Sequence, residues 1–411
     1  MGTGVLTFEK AYEAVRQYCR GVKLPPSESV SVAAAAGRVL AEPVLADRDF
    51  PPFPRATRDG YAVQAADLKT LPALLRVAGQ IRAGASSQDN VEPGLAIEIM
   101  TGAAVPPGAD AIVMVEYTQR KERQVEVQRA VKPGENIVPR GSEAKAGQEM
   151  LSIGARLGSA QIAVAAAAGK ATLNVYRKPR VAILATGDEL VDVTAKPGLH
   201  QIRNSNTYSL AAQVQLAGGD PVRLPVAPDE KPALTALIRE GLSTDLLLLS
   251  GGVSMGQFDL VEEVLASLDA TFFFTGAEIQ PGRPVVFGQA APTTGGTPAP
   301  FFGLPGNPVS TMVTFDLFVR PLLEALSGAL PVRLPGAKAR LAREIKTKTG
   351  LTRFLPAILR GGLHDPEVEV VPWQGSGDVL ASARANCYAV VPPDRDHIPA
   401  GEMISVLLRS S

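Results

Sequence analysis

The chain has 411 residues, of which 45% are apolar and 20% are charged. This length exceeds what one hydrophobic core usually supports, so several domains are expected, and the composition is that of a globular protein. Lys plus Arg equal Asp plus Glu at 41 each, so no overall field favours nucleic acid or an anionic membrane. Any binding of anions must therefore be local.

The apolar runs and the cysteines indicate a cytoplasmic location. The longest apolar runs are too short to span a bilayer, and the first residues show no secretory pattern. Cys19 and Cys387 are the two cysteines and stand in no metal-binding spacing, which is typical of a reducing compartment. The three histidines are too scattered for a zinc site. The sequence thus predicts a soluble cytoplasmic protein that binds neither membrane nor nucleic acid.

The first half of the chain changes its pattern twice. Helical spacing over Phe8–Arg20 gives way to short β-like runs between residues 50 and 147, separated by Pro-Gly turns. That spacing suits a small β-barrel or sandwich. Residues 147–177 then become alanine-rich and helical around 160–169.

The second half alternates strand and helix before it returns to β patterns. Residues 181–328 carry the alternation, and Asn204 or Asn206 and Asp229 are candidate helix caps. Strands separated by helices predict a doubly wound α/β sheet, with ligands expected outside the carboxyl ends of the strands. After Pro331 the runs are strand-like again.

Three apolar runs of the α/β region stop abruptly at turns of small and polar residues. These turns are residues 186–189, 250–256 and 303–310. Glycine turns at the ends of buried strands let a ligand approach the backbone, and the following helix offers unpaired N–H groups to an anion. Glu189 and Asp259 would repel a bare phosphate, so they suit a site where a cation lies between carboxylate and phosphate. The turns therefore predict a metal-assisted phosphate site.

Each of these segments also has a purely structural interpretation. The 250–254 turn could serve close packing, although its two hydroxyls and Asp259 favour a ligand. It is not a Walker A loop, and Gly-x-Gly-x-x-Gly is absent, which disfavours an ordinary ATPase or NAD enzyme. The acidic pair at 188–189 could be the first turn of a helix, and Asn307 could hold its own turn. Arg283, after a rigid Pro-Gly turn, is either a surface residue or one preorganised for phosphate.

Short motifs are spread over nearly the whole chain. They are Asp59-Gly60-Tyr61-Ala62, Thr101-Gly102-Ala103, Gly108-Ala109-Asp110-Ala111 with Glu116, Thr186-Gly187-Asp188-Glu189-Leu190, Asn204-Ser205-Asn206, Ser250-Gly251-Gly252-Val253-Ser254 with Gly256 and Asp259, Pro281-Gly282 with Pro284, residues 303–310, Gln374-Gly375-Ser376 and Ala385-Asn386. Taken together and in this order, they resemble the molybdopterin molybdenumtransferases, the MoeA and gephyrin E-domain family. Each motif alone is weak, but the joint match is highly specific.

The resemblance implies a multidomain α/β plus β fold in an L-shaped homodimer. Residues 178–328 would form the doubly wound molybdopterin-binding domain, and 48–146 an inserted β domain. Residues 1–47 and 147–177 would join as a discontinuous helical domain, and 329–411 would form a C-terminal β-barrel-like domain. In this family the active cleft lies between the α/β domain of one subunit and the inserted domain of the other.

The implied reaction is insertion of molybdate into adenylylated molybdopterin, with Mg²⁺ and with release of AMP. By match, the catalytic carboxylates would be Asp59, Glu189, Asp245 and Asp259, of which Glu189 and Asp259 would bind the metal. The residues that would bind substrate are Thr101, Ser250, Gly251, Gly252, Ser254, Gln280, Arg283, Asn307 and Ser376. Asp59 and Thr101 would come from the partner subunit, and a molybdopterin adenylyltransferase would deliver the substrate.

Several positions depart from the usual family pattern. Gln280 and Arg283 stand where many relatives have lysines, and Arg58 adds a charge beside Asp59. One hypothesis is that Arg58 and Arg55, on the opposite loop, replace the lysine and arginine charges that are lost from one strand end. The departures also leave open a paralogue that inserts tungstate.

Two other classes of function stay open alongside the transferase. One is a non-catalytic dimeric scaffold of the same fold that binds a protein partner. The other is a molybdopterin adenylyltransferase, which shares the α/β domain but does not need the inserted and C-terminal domains. Acidic groups at glycine turns favour catalysis, because a scaffold has no need of them.

Overall fold

The computed structural model describes residues 4–84, 90–251, 260–293, 296–329, 334–362 and 364–409. Within these ranges, none of the helices combines the length and apolarity that crossing a bilayer requires. Four groups of elements are visible: an α/β sheet with its helices, a small two-layer unit, a six-stranded β sheet and a closed barrel. The predicted multidomain α/β plus β fold is confirmed.

A six-stranded sheet forms the centre of the α/β region. Its first four strands run parallel, and the last two are joined antiparallel. Across the sheet, the strands are Asp220–Arg223, Arg180–Ala185, Leu246–Ser250, Ala299–Leu304, Val286–Ala290 and Thr271–Phe274. Successive side chains alternate between two cores, Val181 and Ile183 on one face and Ala182 and Leu184 on the other. Burial on both faces explains why these strands read as continuous apolar runs.

Helices cover both faces of this sheet. They are Asn206–Leu216, Lys231–Leu242, Leu260–Ser267, Pro308–Thr314 and Arg320–Leu326, and a π-helical turn, Phe315–Val319, joins the last two. Ser205 is the N-cap of the first of these helices, but the predicted cap Asn204 still contributes, since its Oδ1 accepts the N–H of Thr207 at 3.2 Å. Asp229 does not, because the next helix has Glu230 at its N-cap and no side-chain cap hydrogen bond.

The N-terminal helix Phe8–Arg20 completes the α/β core. Its buried residues Ala11 and Val15 belong to the same apolar cluster as Phe318 and Leu322. The preceding strand Val5–Leu6 pairs in parallel with Gly276–Ala277. The predicted division of the chain into domains instead groups this helix with residues 147–177. The domain boundaries stay predictions.

A two-layer unit links the N-terminal part to residues 149–176. Its paired strands are Ser27–Ser31 with Thr172–Tyr176 and Val44–Leu45 with Glu149–Leu151, and its helices are Val32–Ala34 and Ser159–Ala167. Leu40, Leu157, Ala165 and Val175 form its core. The alanine-rich stretch is helical here, as its spacing predicts.

The inserted region is a six-stranded sheet with a core on each face. In order across the sheet, the strands are Ala111–Met114, Gly60–Val63, Leu95–Ile99, Ala73–Ile81, Gln124–Val127 and Thr118–Lys121. Tyr61 and Val63 enter one core while Ala62 enters the other. Short elements beside the sheet are the strand pair Arg55–Ala56 with Ile137–Val138 and the helical turns Ala65–Leu68 and Val115–Tyr117.

The C-terminal region is a closed five-stranded barrel. Its strands are Thr352–Arg360, Glu367–Val370, Gly336–Leu341, Met403–Leu408 and Cys387–Val391, and the last pairs with the first. Beside it lie the strand pair Ile345–Lys346 with His397–Ile398 and the helix Val379–Arg384. The strand Ile279–Gln280 leaves the α/β region and adds in parallel to Thr352–Arg360. The barrel is therefore hydrogen-bonded directly to the α/β region.

Candidate functional site

The three strand-end turns lie against one another. The three strands are neighbours in one sheet and run parallel, so their carboxyl ends share an edge. The N–H of Thr186 donates to the carbonyl of Ser250 at 3.2 Å, and the N–H of Gly251 donates to the carbonyl of Leu304 at 3.3 Å. The sequence prediction that these turns converge is correct for the described part of each.

Asn206 ties two of the turns together from the start of a helix. Its Nδ2 donates to Oγ of Ser250 at 2.9 Å and to the carbonyl of Gly306 at 2.8 Å. Its Oδ1 is buried and has no hydrogen-bond partner. A buried acceptor without a partner is uncommon, so this oxygen is available to a donor on a ligand or a water molecule.

Gly251 allows the turns to pack this closely. Its φ is +88°, and a Cβ at this position would lie 2.8 Å from the carbonyl oxygen of Thr186. Gly306 is the neighbour on the other side, since its own Cβ would lie 3.7 Å from Cα of Gly251. A side chain at Gly251 would therefore push the turns apart and cover the backbone.

A cavity of about 340 Å³ opens where the turns meet. Four predicted site residues line it: Glu189, Ser250, Gly251 and Asn307. The other lining residues are Ala185, Thr186, Leu190, Ile202, Arg203, Asn204, Ser205, Asn206, Gly306 and Pro308. Gly252, Ser254 and Asp259, which the sequence also places here, lie outside the described residues.

Carboxylates are concentrated at one side of this cavity. Oδ1 of Asp188 accepts the backbone N–H of Asp229 at 3.4 Å, and Glu189 lines the cavity itself. Burial raises the pKa of Asp229, and repulsion by Asp188 and Glu189 raises it further. Asp229 therefore lies in the negative field of Asp188 and Glu189, which a nearby cation would reduce.

Asp245 does not belong to this cluster, which corrects its predicted role. It precedes the strand Leu246–Ser250, so it lies at the amino-end edge of the parallel sheet, opposite the turns. Its Oδ2 accepts the N–H of Arg180 at 2.7 Å, and its Oδ1 pairs with Nη2 of Arg177 at 3.0 Å. Asp245 thus anchors the start of the sheet, where the chain enters from the two-layer unit.

Asp59 and Thr101 form a second polar site in the inserted region. Oδ1 of Asp59 accepts the N–H of Thr101 at 2.6 Å and its hydroxyl at 2.8 Å. The backbone hydrogen bond and then the hydroxyl lower the pKa of Asp59, so this exposed carboxylate stays charged in mild acid. Nearby, Arg55 pairs with Glu143 at 2.7 Å, while Arg58 is exposed.

Gln280 lies at a different cavity, where the α/β region meets the barrel. This cavity of about 360 Å³ is lined by Gln280, Glu344, Ile345, Lys346, Thr347, Arg353, Leu355, Val370 and Trp373. Nε of Arg353 donates to Oε1 of Gln280 at 2.8 Å, and Nη1 donates to the carbonyl of Leu351 at 3.1 Å. Arg353 is only 5% exposed, and burial lowers its pKa.

Two of the remaining predicted site residues, Ser376 and Arg283, lie in segments that pack near the helix after Asn307. The backbone carbonyl of Ser376 accepts the N–H of Val309 at 3.0 Å, which brings the 374–378 loop to the helix that follows Asn307. Gly282 packs on the same helix, since a Cβ there would lie 2.4 Å from Cγ2 of Thr314. Arg283, one residue on, is exposed.

Comparison with known proteins gives the same family over most of the chain. Family models match residues 6–169 (MoeA N-terminal region, domain I and II), 182–325 (probable molybdopterin binding domain) and 338–408 (MoeA C-terminal region, domain IV). A molybdopterin molybdenumtransferase of Nostoc sp. is 36% identical over 404 residues, 93% of this chain and 88% of the relative. One from Bacillus subtilis is 34% identical over 408 residues, 96% and 93% of the two chains.

The chain belongs to the molybdopterin molybdenumtransferase (MoeA) family. A crystal structure of the molybdopterin biosynthesis moeA protein from Pyrococcus horikoshii OT3 is similar over 98% of this chain and 100% of that one. The two chains are 28% identical, and the TM-score is 0.80. The predicted family, its place in molybdenum cofactor biosynthesis and the transferase class are thereby confirmed.

Two residues of this MoeA-family chain hold the cavities together although no sequence pattern predicts that role. Asn206 appears in the sequence as a candidate cap, but its side chain instead joins turns that lie 44 and 100 residues away. Arg353 appears as one of many arginines in a strand, and its partner Gln280 is 73 residues distant. For Arg353, the signal available was an arginine directly before the apolar run 354–359 of its strand, because arginine is rarely buried without a role.

Proposed function

We propose that this chain inserts molybdate into adenylylated molybdopterin with Mg²⁺ and releases AMP. It would act in the cytoplasm as a homodimer. The observation that carries the proposal is the convergence of three glycine turns on one polar cavity with Glu189 at its side. A molybdopterin adenylyltransferase would supply the substrate, since the chain's relatives are named for the molybdenum step and not for adenylylation.

The cavity floor would bind the phosphates of the substrate. Ser250 offers its hydroxyl and Gly251 exposes backbone without a Cβ, while Asn206 holds Ser250 and Gly306 in place. Such preorganised donors act without reorganisation when charge develops on a leaving phosphate. The role of the protein is therefore to position the phosphoanhydride that is cleaved as molybdenum passes to the dithiolene.

Magnesium fits the donors at this cavity. Glu189 supplies a carboxylate oxygen, and repulsion by Asp188 and Glu189 contributes to the raised pKa of Asp229. In the part of the chain that is described, no group of three or more His, Cys, Asp or Glu could hold a metal alone. Mg²⁺ commonly uses one or two carboxylates together with water and substrate phosphates, so Glu189 with Asp259 would suffice. When bound, the ion would neutralise charge on the cleaved phosphates.

The second half of the site would come from the partner subunit. The hydrogen bonds from Thr101 keep Asp59 ionised and fix its orientation, as a substrate-positioning carboxylate requires. Asp59 and Thr101 lie in the inserted region, whereas the cavity at the strand-end turns lies in the α/β region. In a symmetric dimer, the inserted region of each subunit would complete the cavity of the other, which gives two sites per dimer.

Molybdate would approach through the cavity between the α/β region and the barrel. The buried guanidinium of Arg353 is a preorganised anion donor, and Lys346 lines the same space. Gln280, where many relatives have lysine, accepts from Arg353 and so fixes its plane. Tungstate has the same charge and shape, so the preference between the two oxyanions is part of the test.

Release of AMP decides between the transferase and the alternatives. Purified protein is incubated with adenylylated molybdopterin and Mg²⁺, with molybdate, tungstate or neither, and AMP is quantified. We expect AMP release that depends on Mg²⁺ and on oxyanion, and its loss in Glu189→Gln. Absence of AMP with both oxyanions would refute the transferase and favour the scaffold, whereas release with tungstate alone would identify the paralogue.

A further inference from the structure

A hydrogen-bond network lies between the two helices that start at the cavity of the strand-end turns. Helix Asn206–Leu216 begins with Asn206, and helix Pro308–Thr314 follows its N-cap, Asn307. Asn206, Asn307 and Pro308 line that cavity. The relative position of the two helices therefore sets the relative position of two of its walls.

Gln213 ties these two helices together. Its Nε2 donates to the carbonyl of Met312 at 3.1 Å and to Oδ1 of Asp316 at 3.4 Å. Asp316 lies in the π-helical turn Phe315–Val319, which follows directly on the second helix. A π-helical turn is rare and occurs frequently at functional sites.

The other oxygen of Asp316 reaches the barrel. Tyr388, in the strand Cys387–Val391, donates its hydroxyl to Oδ2 of Asp316 at 3.2 Å. Asp316 is 5% exposed, and Tyr388 is fully buried. Arg409, whose guanidinium lies 5.4 Å from the centre of the Tyr388 ring, adds a positive charge that favours the carboxylate. We call Gln213, Asp316 and Tyr388 the junction network.

The junction network ends beside the second cavity. Tyr388 is opposite Pro356 on the neighbouring strand Thr352–Arg360, and Arg353 lies earlier on that strand, opposite Val391. Arg353 lines the cavity between the α/β region and the barrel. A buried path of hydrogen bonds and paired strands thus runs from the helices at the first cavity to the strand at the second.

The junction network is held at a cost in stability. Burial raises the pKa of Asp316, and Oε1 of Gln213 is buried without a hydrogen-bond partner among the described residues. Hydrogen bonds in a buried network fix one arrangement of the elements that they join, because they are directional and apolar contacts are not. The network therefore specifies the geometry of the junction more than it stabilises it.

We propose that Asp316 is a positioning residue that sets how the barrel sits on the α/β region, and thereby the spacing of the two cavities. The inference rests on the proposed function, in which the oxyanion and the phosphates occupy these cavities and the reaction needs both. Displacement of reacting groups by about 1 Å can lower a rate ~100-fold, so a small shift at the junction would be felt in the rate.

The test separates catalysis from ligand binding. Asp316→Leu removes both hydrogen bonds of the carboxylate, and Tyr388→Phe removes only the bond to the barrel. Asp316→Asn keeps a polar group that can bond to both neighbours. The control Ile238→Val removes one methylene from the core on the other face of the α/β sheet, outside the network.

We expect kcat for AMP release to fall about tenfold in Asp316→Leu, by a smaller factor in Tyr388→Phe, and to return close to wild type in Asp316→Asn. Affinities for molybdate and for AMP with Mg²⁺, each measured alone by calorimetry, should stay within about twofold, because neither ligand contacts the network. Ile238→Val should lower the thermal midpoint and leave kcat unchanged. Unchanged kcat in Asp316→Leu, a loss that Asp316→Asn does not restore, or an equal loss of affinity for either ligand would overturn the proposal.

A second readout does not depend on turnover. Trp373 is the single tryptophan of the chain and lines the cavity between the α/β region and the barrel. Its emission maximum in the ligand-free protein should shift in Asp316→Leu, return in Asp316→Asn and stay constant in Ile238→Val. An unchanged maximum in Asp316→Leu would refute the positioning role even if the wild type releases AMP. A shifted maximum without any AMP release by the wild type would refute the proposed function and leave the control of barrel position by Asp316 in place.

Discussion

The side-chain amide of Asn206 donates a hydrogen bond to Oγ of Ser250 at 2.9 Å, and so connects a helix start to a strand end. A second hydrogen bond from the same nitrogen reaches the carbonyl of Gly306. Because each turn carries cavity-lining residues, the relative position of two walls of the cavity depends on one side chain.

Asn206→Ala should therefore lower activity more than it lowers stability. Loss of two hydrogen bonds should cost about 1–2 kcal/mol in the free energy of unfolding, and removal of the unpartnered Oδ1 lessens that cost. We expect kcat/KM for AMP release to fall by roughly tenfold or more. The control is Gln215→Ala, an exposed residue of the same helix, and equal activity of the two variants would contradict the bridging role.

Gly251→Ala tests the close approach of the turns. Alanine here adopts an unfavourable positive φ and also places Cβ 2.8 Å from the carbonyl oxygen of Thr186. The matched control is Gly350→Ala, since Gly350 has a φ of +99° but no atom within 4 Å of its Cβ position. We expect urea unfolding to show about 1–2 kcal/mol of destabilisation for the control and ~1–3 kcal/mol more for Gly251→Ala. Equal losses would mean that the contact with Thr186 imposes no constraint.

Arg353→Met should weaken molybdate binding without lowering stability. Burial lowers the pKa of Arg353, which indicates that the charge is held there at a cost, so methionine should leave the thermal midpoint equal or higher. Molybdate affinity, measured by calorimetry, should fall at least about tenfold, because a buried charge-assisted donor is lost. Arg360→Met, at the exposed end of the same strand, should do neither. Undiminished molybdate binding by Arg353→Met would exclude this cavity as the oxyanion site.

Asp316→Asn should change how stability depends on pH. Asp316 is 5% exposed, accepts from Tyr388 and Gln213, and has a pKa raised by burial, partly offset by Arg409 and Arg320. A raised carboxyl pKa means that the folded state holds the proton more tightly, so stability is lost as pH rises from the unfolded value of 3.8 through the folded value.

Asparagine cannot ionise, so Asp316→Asn should be at least as stable as wild type at pH 8, with a flatter profile in acid. The new Oδ1 can accept from Nε2 of Gln213, and the hydroxyl of Tyr388 can accept from the new Nδ2, so the network stays satisfied without moving Gln213 from Met312. Urea unfolding between pH 4 and pH 8 measures the effect, with the exposed Asp365→Asn as control. A variant that loses stability equally at every pH would show that the carboxylate itself is needed.

Mixing two inactive variants tests whether the site is shared between subunits. Asp59→Ala and Glu189→Ala each remove one predicted half of the site. If the halves come from different subunits, random mixed dimers contain one intact site each, and about a quarter of wild-type AMP release should return. Each variant unfolded and refolded alone provides the baseline, and no recovery in verified mixed dimers would place both residues in one subunit's site.

Local patterns predicted much of the fold. The apolar runs ending at 185, 250 and 304 became neighbouring strands because parallel strands buried on both faces leave a strong signal. Hydrogen bonds between residues far apart in sequence leave no such signal. The bonds from Asn206 to Gly306 and from Arg353 to Gln280 depend on how the strands and the barrel pack together. Asp245 illustrates a different failure, because a match by motif ignored that it precedes its strand and must lie at the opposite edge.

The N-terminal helix also constrains the order in which the protein can fold. Phe8–Arg20 is synthesised before the residues that it packs on, since Ala11 and Val15 lie against Phe318 and Leu322, some 300 residues later. Contacts this distant in sequence form late. The apolar face of this amphipathic helix therefore has no surface to pack against during most of synthesis. A nascent chain of this protein therefore presents a natural binding target for chaperones until its α/β core is nearly complete.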